Sequence, residues 1–141
     1  MKAVVQRVSR ARVTPGGSIP QGLCVLLGVA RGDGEEAAAR LARKVAQLRV
    51  FADAEGKFDR SVLDVGGAAL VVSQFTLIAD TAKGNRPSFV DAAPPEQAKP
   101  IYERFCASLA GLDVDVERGS FGALMEVELV NDGPVTIVLD T

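Results

Sequence analysis

The feature that most constrains the fold is an almost continuous run of apolar residues, Leu23–Val29. A run of this length suits a strand, and a strand that is apolar on both sides is covered on both faces. A second short run of strand type, Ala69–Val72, lies in the middle of the chain. Neither run approaches the roughly 20 residues of a membrane-spanning helix. We therefore expect buried central strands and no membrane segment.

Two segments have the spacing of helices. Residues 34–48 carry apolar side chains along one face, namely Ala38, Leu41, Val45 and Leu48. Asp33 followed by Glu36 fits a capping box, which predicts that Asp33 caps this helix. The second helix is predicted from Pro95 to Gly111, where glycine ends it. Since proline disrupts a helix interior, Pro100 predicts either a kink or a regular part that starts there.

Alternating apolar and polar residues predict further strands. The segments with this pattern are residues 2–13, 112–117, 125–129 and 135–139, with shorter candidates at 49–52 and from Ile19 onward. Asn131–Pro134 is rich in turn formers and predicts a tight turn between the last two strands. About seven strands and two helices predict one α+β domain, residues 1–141, with mixed, largely antiparallel and barrel-like sheets.

The absence of histidine excludes several kinds of catalytic site. Ser-His-Asp and Cys-His nucleophile pairs are impossible, and so is histidine-ligated zinc. We therefore expect no metal and no cofactor. The formal net charge of -2 argues against a broad basic surface for nucleic acid, although a local basic cluster is compatible with it.

The first residues bear on the location of the protein in the cell. Met1–Arg7 contains charged residues too early for a signal peptide, so we expect a cytoplasmic protein.

Cys24 and Cys106 lie in apolar segments without CxxC spacing. Buried free thiols are therefore expected rather than a disulfide or a metal site.

Residues 71–89 are the stretch most typical of a site. An apolar strand becomes polar here, at Ser73, Gln74 and Thr76. Phe75 is expected to alternate with them as an apolar anchor. The following loop, Lys83–Phe89, contains turn formers and two positive charges, and binding residues concentrate in such loops. Alternatively, Ser73 and Thr76 only cap the strand end.

Three segments follow one another in a recognisable order, namely Ser73–Leu77, Asn85–Phe89 and Asn131–Thr136. Together they resemble the D-aminoacyl-tRNA deacylase family. Met1–Val8 and Phe121–Met125 resemble the same family, so the similarity covers essentially the whole chain. Residues 14–20 are less typical and lie in a predicted turn.

The resemblance implies an activity and an assembly. The family hydrolyses the ester that joins a D-amino acid to the terminal ribose of tRNA, and glycine mischarged on tRNA(Ala) is a further implied substrate. The implied partners are the 3′ end of aminoacyl-tRNA and a second copy of the chain, in a homodimer with active sites at the interface. In the family, a Gly-Pro pair with a cis peptide bond enters the pocket of the other subunit. A pocket of rigid main chain would reject L side chains by exclusion.

The resemblance also implies positions for the site residues. One side of the pocket would come from the end of the strand, at Ser73, Gln74, Phe75 and Thr76. Gly133 and Pro134 would form the inserted pair, and Arg7 would hold that pair. Phe121 and Met125 would lie near the terminal adenosine.

The sequence leaves more than one nucleophile and more than one class of function open. Thr76 could act as a nucleophile, but no histidine can activate it. We favour attack by water with help from the ribose 2′-hydroxyl, and stabilisation of the oxyanion by the main-chain N–H groups of Phe75 and Thr76. A different small-ester or amide hydrolase stays open, as does a non-catalytic RNA-binding module. The acidic composition and the lack of an aromatic stacking motif weigh against the last.

Overall fold

Strands and helices follow one another in nearly the predicted order. The computed structural model describes residues 1–141. The strands are β1 (Lys2–Thr14), β2 (Ser18–Ile19), β3 (Gly22–Gly28), β4 (Phe51–Ala52), β5 (Phe58–Arg60), β6 (Ala68–Ser73), β7 (Asp115–Arg118) and β8 (Glu126–Asp140). The helices are α1 (Glu35–Gln47) and α2 (Pro95–Gly111), and a short 3-10 helix covers Phe75–Leu77. None of these helices is long and apolar enough to cross a membrane.

The main sheet combines antiparallel and parallel pairing. β1 pairs antiparallel with β2, β3 and β8, whereas β3 pairs parallel with β6 and β6 parallel with β7. A bridge between Gly16 and Gly119 connects the turn after β1 to the segment after β7. β4 and β5 form a separate antiparallel pair. The predicted α+β class, with a mixed and barrel-like sheet, is confirmed.

The central strands are buried on both faces, as the apolar run Leu23–Val29 predicts. Leu23, Val25 and Leu27 of β3 pack in a cluster that includes side chains of both helices. Cys24 points to the other face and packs against residues of β1. Each buried leucine or valine stabilises the fold by about 1.5–3 kcal/mol. The two-sided packing therefore fixes β3 at the centre of the molecule.

Both cysteines are buried free thiols, which confirms the prediction for Cys24 and Cys106. Burial raises the pKa of Cys24 to about 11 and also raises the pKa of Cys106. A thiol is reactive as the thiolate, so neither side chain is a candidate nucleophile near neutral pH.

The capping-box prediction for α1 is wrong. The N-cap residue is Gly34, which has no side-chain hydrogen bond to the helix. The Asp33 carboxylate instead lies 2.8 Å from the α-amino group of Met1 and accepts a 2.7 Å hydrogen bond from the Ala30 N–H. A nearby cation and a main-chain donor thus replace the local partner that the sequence pattern suggested.

α2 runs from Pro95 to Gly111 without a break at Pro100, so the regular helix starts at Pro95. The alternative of a helix that begins at Pro100 is therefore wrong. Phe105 and Leu109 are fully buried, and Ile101 is partly buried against the same cluster. Pro100 lies on the exposed side of the helix, so its ring faces solvent and not the core.

The predicted tight turn at Asn131–Pro134 is also wrong. Residues 126–140 form one strand, β8, that pairs with β1 on both sides of this segment. Gln6 pairs with Thr136 and Val8 with Asn131, so Arg7 alone lies opposite residues 132–135. The segment is therefore a large bulge in a continuous strand, because the two halves of β8 share the partner β1.

A test of the central packing is Gly22→Ala. A Cβ at Gly22 would lie 1.8 Å from the carbonyl oxygen of Ala68, on the neighbouring strand. Because Gly22 and Ala68 are paired residues of neighbouring strands, the added Cβ would force the main chains apart. We therefore expect a loss of stability of about 1–3 kcal/mol. Gly111→Ala is the matched control, since nothing lies within 4 Å of a Cβ there. Urea unfolding measures both variants, and equal stability would contradict this packing.

Candidate active site

The polar residues after β6 leave the sheet in a turn rather than in an extended strand. β6 ends at Ser73, and the Gln74 N–H donates to the Leu27 carbonyl at 2.8 Å. The chain then enters the 3-10 helix Phe75–Leu77. Gly28 allows this close approach, because a Cβ there would lie 3.0 Å from Leu77 Cβ and 3.1 Å from the Gln74 oxygen.

Phe75 is not the buried anchor that alternation predicted. Its side chain is 53% exposed, since the 3-10 turn rotates it away from the sheet. It makes an edge-to-face contact with Phe89, with ring centroids 5.1 Å apart. The pair presents an aromatic surface at the end of β6.

A cleft of about 700 Å³ opens beside this turn. It brings together most of the predicted cleft-side residues, namely Ser73, Gln74, Phe75, Phe121 and Met125. The start of α2 and the preceding residues, Ala92–Pro95, form another wall, and Phe89 lies at the same cleft. The lining is mainly apolar, with few polar groups, as is common in small-ligand sites.

Thr76 is exposed and does not line the cleft, although it directly follows the lining residue Phe75. The Gln74 side-chain amide donates a hydrogen bond to the Thr76 hydroxyl oxygen. Because the hydroxyl oxygen accepts this bond, its own proton is free to be donated to another group. An amide cannot act as a general base, so this contact orients Thr76 without activating it.

Arg7, Gly133 and Pro134 form a second group, and none of them lines the cleft. Arg7 Nε donates to the Asp132 carbonyl at 2.8 Å, and Nη1 donates to the Val50 carbonyl at 2.7 Å. The guanidinium also lies 5.7 Å from the centroid of the Phe58 ring. The Gly133–Pro134 peptide is cis, and both residues are exposed. One chain therefore places the predicted site residues in two separate groups.

Asn131 is a residue of this second group to which sequence reasoning assigned no role. Its Oδ1 accepts a 2.7 Å bond from the Val135 N–H. Its Nδ2 donates to the Val135 carbonyl at 3.3 Å and to the Thr136 hydroxyl at 3.1 Å. These bonds join the two ends of the bulge. The tendency of asparagine to bond nearby main chain was the available signal.

The titratable groups below the cleft are structural. The Tyr102 hydroxyl donates to the Val71 carbonyl at 2.8 Å in a buried position. Burial, and next Cys106, raise the pKa of Tyr102, so its phenol stays protonated near neutral pH. The structure contains no group of three or more His, Cys, Asp or Glu that could hold a metal ion.

Comparison with known sequences gives a family match over nearly the full length. The family profile described as D-Tyr-tRNA(Tyr) deacylase matches residues 4–140. A protein of Roseiflexus sp. (strain RS-1) named D-aminoacyl-tRNA deacylase is 61% identical over 145 aligned residues, covering 100% of this chain and 94% of that protein. A Thermus aquaticus protein of the same name is 54% identical, covering 100% and 95%.

Solved structures share the fold. One named c-Myc DNA Unwinding Element Binding Protein superposes with a TM-score of 0.92 at 45% identity, covering 100% of this chain and 99% of that one. A structure titled as a probable eukaryotic D-amino acid tRNA deacylase gives a TM-score of 0.81 at 16% identity, covering 99% and 98%. The second likeness concerns the fold alone.

The hydrogen bonds by which Asn131 joins the two ends of the bulge are tested by Asn131→Ala. The variant leaves the buried Val135 N–H without its side-chain acceptor, which costs about 1–3 kcal/mol of stability. We also expect faster amide hydrogen exchange at Val135, because its 2.7 Å bond is lost. Asn85→Ala, in an exposed loop, is the control. Unchanged exchange at Val135 would mean that Asn131 does not hold the bulge.

Proposed function

Since the chain belongs to the D-Tyr-tRNA(Tyr) deacylase family, we propose that its cleft takes the ester of a D-aminoacyl-tRNA and that a second copy of the chain completes the site. The reaction is hydrolysis of the ester between a D-amino acid and tRNA. The protein is thus a D-aminoacyl-tRNA deacylase, an ester hydrolase that proofreads for translation. Because the substrate is used by ribosomes, the expected location is the cytoplasm.

The observation that carries the shared site is the separation of the two groups of residues. Ser73, Gln74 and Phe75 line the cleft, whereas Gly133 and Pro134 project from the bulge in β8 and do not line it. Gly133 and Pro134 themselves are exposed, and neither has a partner residue in β1. In a symmetric dimer, each bulge would enter the other copy's cleft.

The exposed surface of β8 supports a dimer. β8 pairs only with β1, so its second edge offers unpaired main-chain groups, and such edges readily pair with another chain. Val138 on this strand is 68% exposed. Leu124, in the loop that lines the cleft, is 98% exposed. Burial of these side chains in a homodimer would remove apolar surface from water.

Chiral selection by main chain follows from that assembly. The Gly133–Pro134 segment offers carbonyl oxygens that can accept hydrogen bonds from the substrate ammonium. Once the ammonium and the ester are fixed, the two remaining directions at the substrate Cα are unequal. A D side chain takes the open one, and an L side chain meets backbone. Glycine has no side chain to reject, so glycyl-tRNA, including glycine on tRNA(Ala), is a further substrate.

Arg7 holds this main-chain segment in place. Its bond to the Asp132 carbonyl fixes the residue before Gly133, and its bond to the Val50 carbonyl ties the bulge to the body of the protein. The Phe58 ring beneath the guanidinium restricts the side chain further. Rigid placement matters because exclusion of a side chain requires a wall that does not yield.

Water is the preferred nucleophile. The N–H groups of Phe75 and Thr76 open the 3-10 helix and have no acceptor inside that turn, so they can stabilise the oxyanion of the tetrahedral intermediate. Thr76, held by Gln74, positions the substrate. The neighbouring ribose hydroxyl of the tRNA assists proton transfer. This route needs no histidine, metal or cofactor.

The chiral role of the main chain is tested by Gly133→Ala and Thr76→Ala. A Cβ at Gly133, where φ is +145°, would lie 2.7 Å from Val135 Cγ2 and 3.3 Å from Arg7 Nη2. We expect the displaced bulge to slow D-tyrosyl-tRNA hydrolysis about 100-fold and to reduce discrimination against L-tyrosyl-tRNA.

Thr76→Ala should slow turnover and keep the D over L preference. Initial rates on both tRNAs, with unfolding curves as a control for folding, give the comparison. If Thr76→Ala abolishes the D over L preference and Gly133→Ala retains it, the main chain does not select the chirality of the amino acid.

The shared site is tested by mixed dimers. One chain carries Gly133→Ala and the other Thr76→Arg, whose exposed position tolerates the larger side chain. Each variant alone should keep no more than about a hundredth of the parent activity. After joint unfolding and refolding of equal amounts, about half of the dimers should contain one chain of each kind. Each of these has one intact pocket out of two, so the mixture should recover about a quarter of the parent activity. A refolded mixture that stays inactive would place all site residues in one chain, and mixing without refolding is the control.

A further inference from the structure

The exposed loop between β6 and α2 has a rigid base. Asp80 and Ser88 form two main-chain hydrogen bonds, each 2.8 Å long, that close residues 81–87 into a loop. The Asp80 carboxylate also accepts a 2.9 Å bond from the Ala82 N–H. Residues 81–87, the 81–87 loop, are all exposed. The loop is thus a projecting tip on a fixed stem.

The loop emerges at the rim of the cleft. Ser88 at its base is followed by Phe89, which lines the cleft and contacts Phe75. Phe75, 53% exposed, offers a surface on which a nucleobase can stack. An RNA 3′ end that places its ester at the end of β6 would therefore pass close to the 81–87 loop.

The loop carries two cations without carboxylate partners. Lys83 and Arg86 are exposed and take part in none of the ion pairs of the structure. A third cation, Arg31, lines the cleft and donates from Nε to the Val90 carbonyl at 2.7 Å, which fixes its side chain. Asp80 and Asp91 flank the loop, and the Asp80 carboxylate is turned to the loop main chain.

A local set of cations matters because the chain as a whole repels RNA. Its formal net charge is -2, and tRNA is a polyanion. The basic face of α1, which contains Arg43 and Lys44, belongs to a helix that does not line the cleft. Arg31 lines the cleft, and Lys83 and Arg86 belong to the loop whose base leads directly into the cleft residue Phe89.

We propose that Lys83 and Arg86 of the 81–87 loop, together with Arg31, bind the backbone phosphates of the single-stranded 3′ end of tRNA that leads into the cleft. This inference rests on the proposed function. The cations contribute to affinity and not to the hydrolytic step, because they contact phosphates and not the ester. They read no sequence, since phosphate contacts carry none.

The experiment compares a substrate with phosphates and one without. The substrates are D-tyrosyl-tRNA and 3′-O-(D-tyrosyl)adenosine, and the variants are Lys83→Ala, Arg86→Ala and their combination. For the tRNA we expect each substitution to raise KM roughly threefold to tenfold with kcat unchanged. The slope of log KM against log salt should fall by about 0.7 for each lost contact. Rates on the adenosine ester should not change.

Arg43→Ala combined with Lys44→Ala is the matched control, because it removes the same charge from the exposed face of α1. An equal rise in KM for this control would attribute the effect to net charge and overturn the inference. An unchanged KM and salt slope in the loop variants, or equal losses on both substrates, would overturn it as well. A parent protein inactive on both substrates would instead refute the proposed function, and this inference with it.

Discussion

The parallel pairing of β3 with β6 supports both the core and the site. Leu23–Leu27 and Ala69–Val72 lie side by side, with residues of both helices on one face and residues of β1 on the other. Because both faces are covered, neither strand can shift register without moving polar groups into the core. The end of β6 is therefore held in place, and this fixes the positions of Ser73 and of the 3-10 turn that follows it.

A second constraint places the segment that we propose as the other half of the site. β8 pairs with β1 above and below the bulge, so residues 132–135 have no place in the ladder and project from it. Arg7, the residue of β1 opposite the bulge, and Asn131 at its base bind the projecting main chain. A wall of fixed main chain results, at a distance in the fold from the cleft that it is proposed to complete. If a second copy of the chain supplies this wall, as proposed above, dimerisation becomes part of catalysis.

Much of this arrangement follows from local patterns in the sequence. The buried strand at Leu23–Val29, the helix at 34–48 and the polar end of β6 depend on periodicity and composition, and the structure contains all three. The errors concern residues whose partners are distant in sequence. Asp33 meets the amino group of Met1, and the bulge at Asn131–Pro134 exists because β1 pairs with both halves of β8.

The site shows the same division. Ser73 and Gln74 are recognisable as polar residues at a strand end, but the exposure of Phe75 depends on the close packing of Gly28 against the following turn. The roles of Arg7 and Asn131 depend on contacts with the bulge. No periodicity in the sequence encodes those contacts. The family resemblance implied a role for Arg7 and none for Asn131.

The shared active site can be tested most directly by a crystal structure of the protein with a non-hydrolysable substrate analogue, D-tyrosine joined by an amide bond to 3′-amino-3′-deoxyadenosine. We expect the analogue in the cleft, with its carbonyl near the N–H groups of Phe75 and Thr76. Its ammonium should contact the main chain at Gly133 and Pro134 of a second copy of the chain. An analogue bound in the cleft with no Gly133–Pro134 segment beside it, or with that of its own chain, would contradict the shared site.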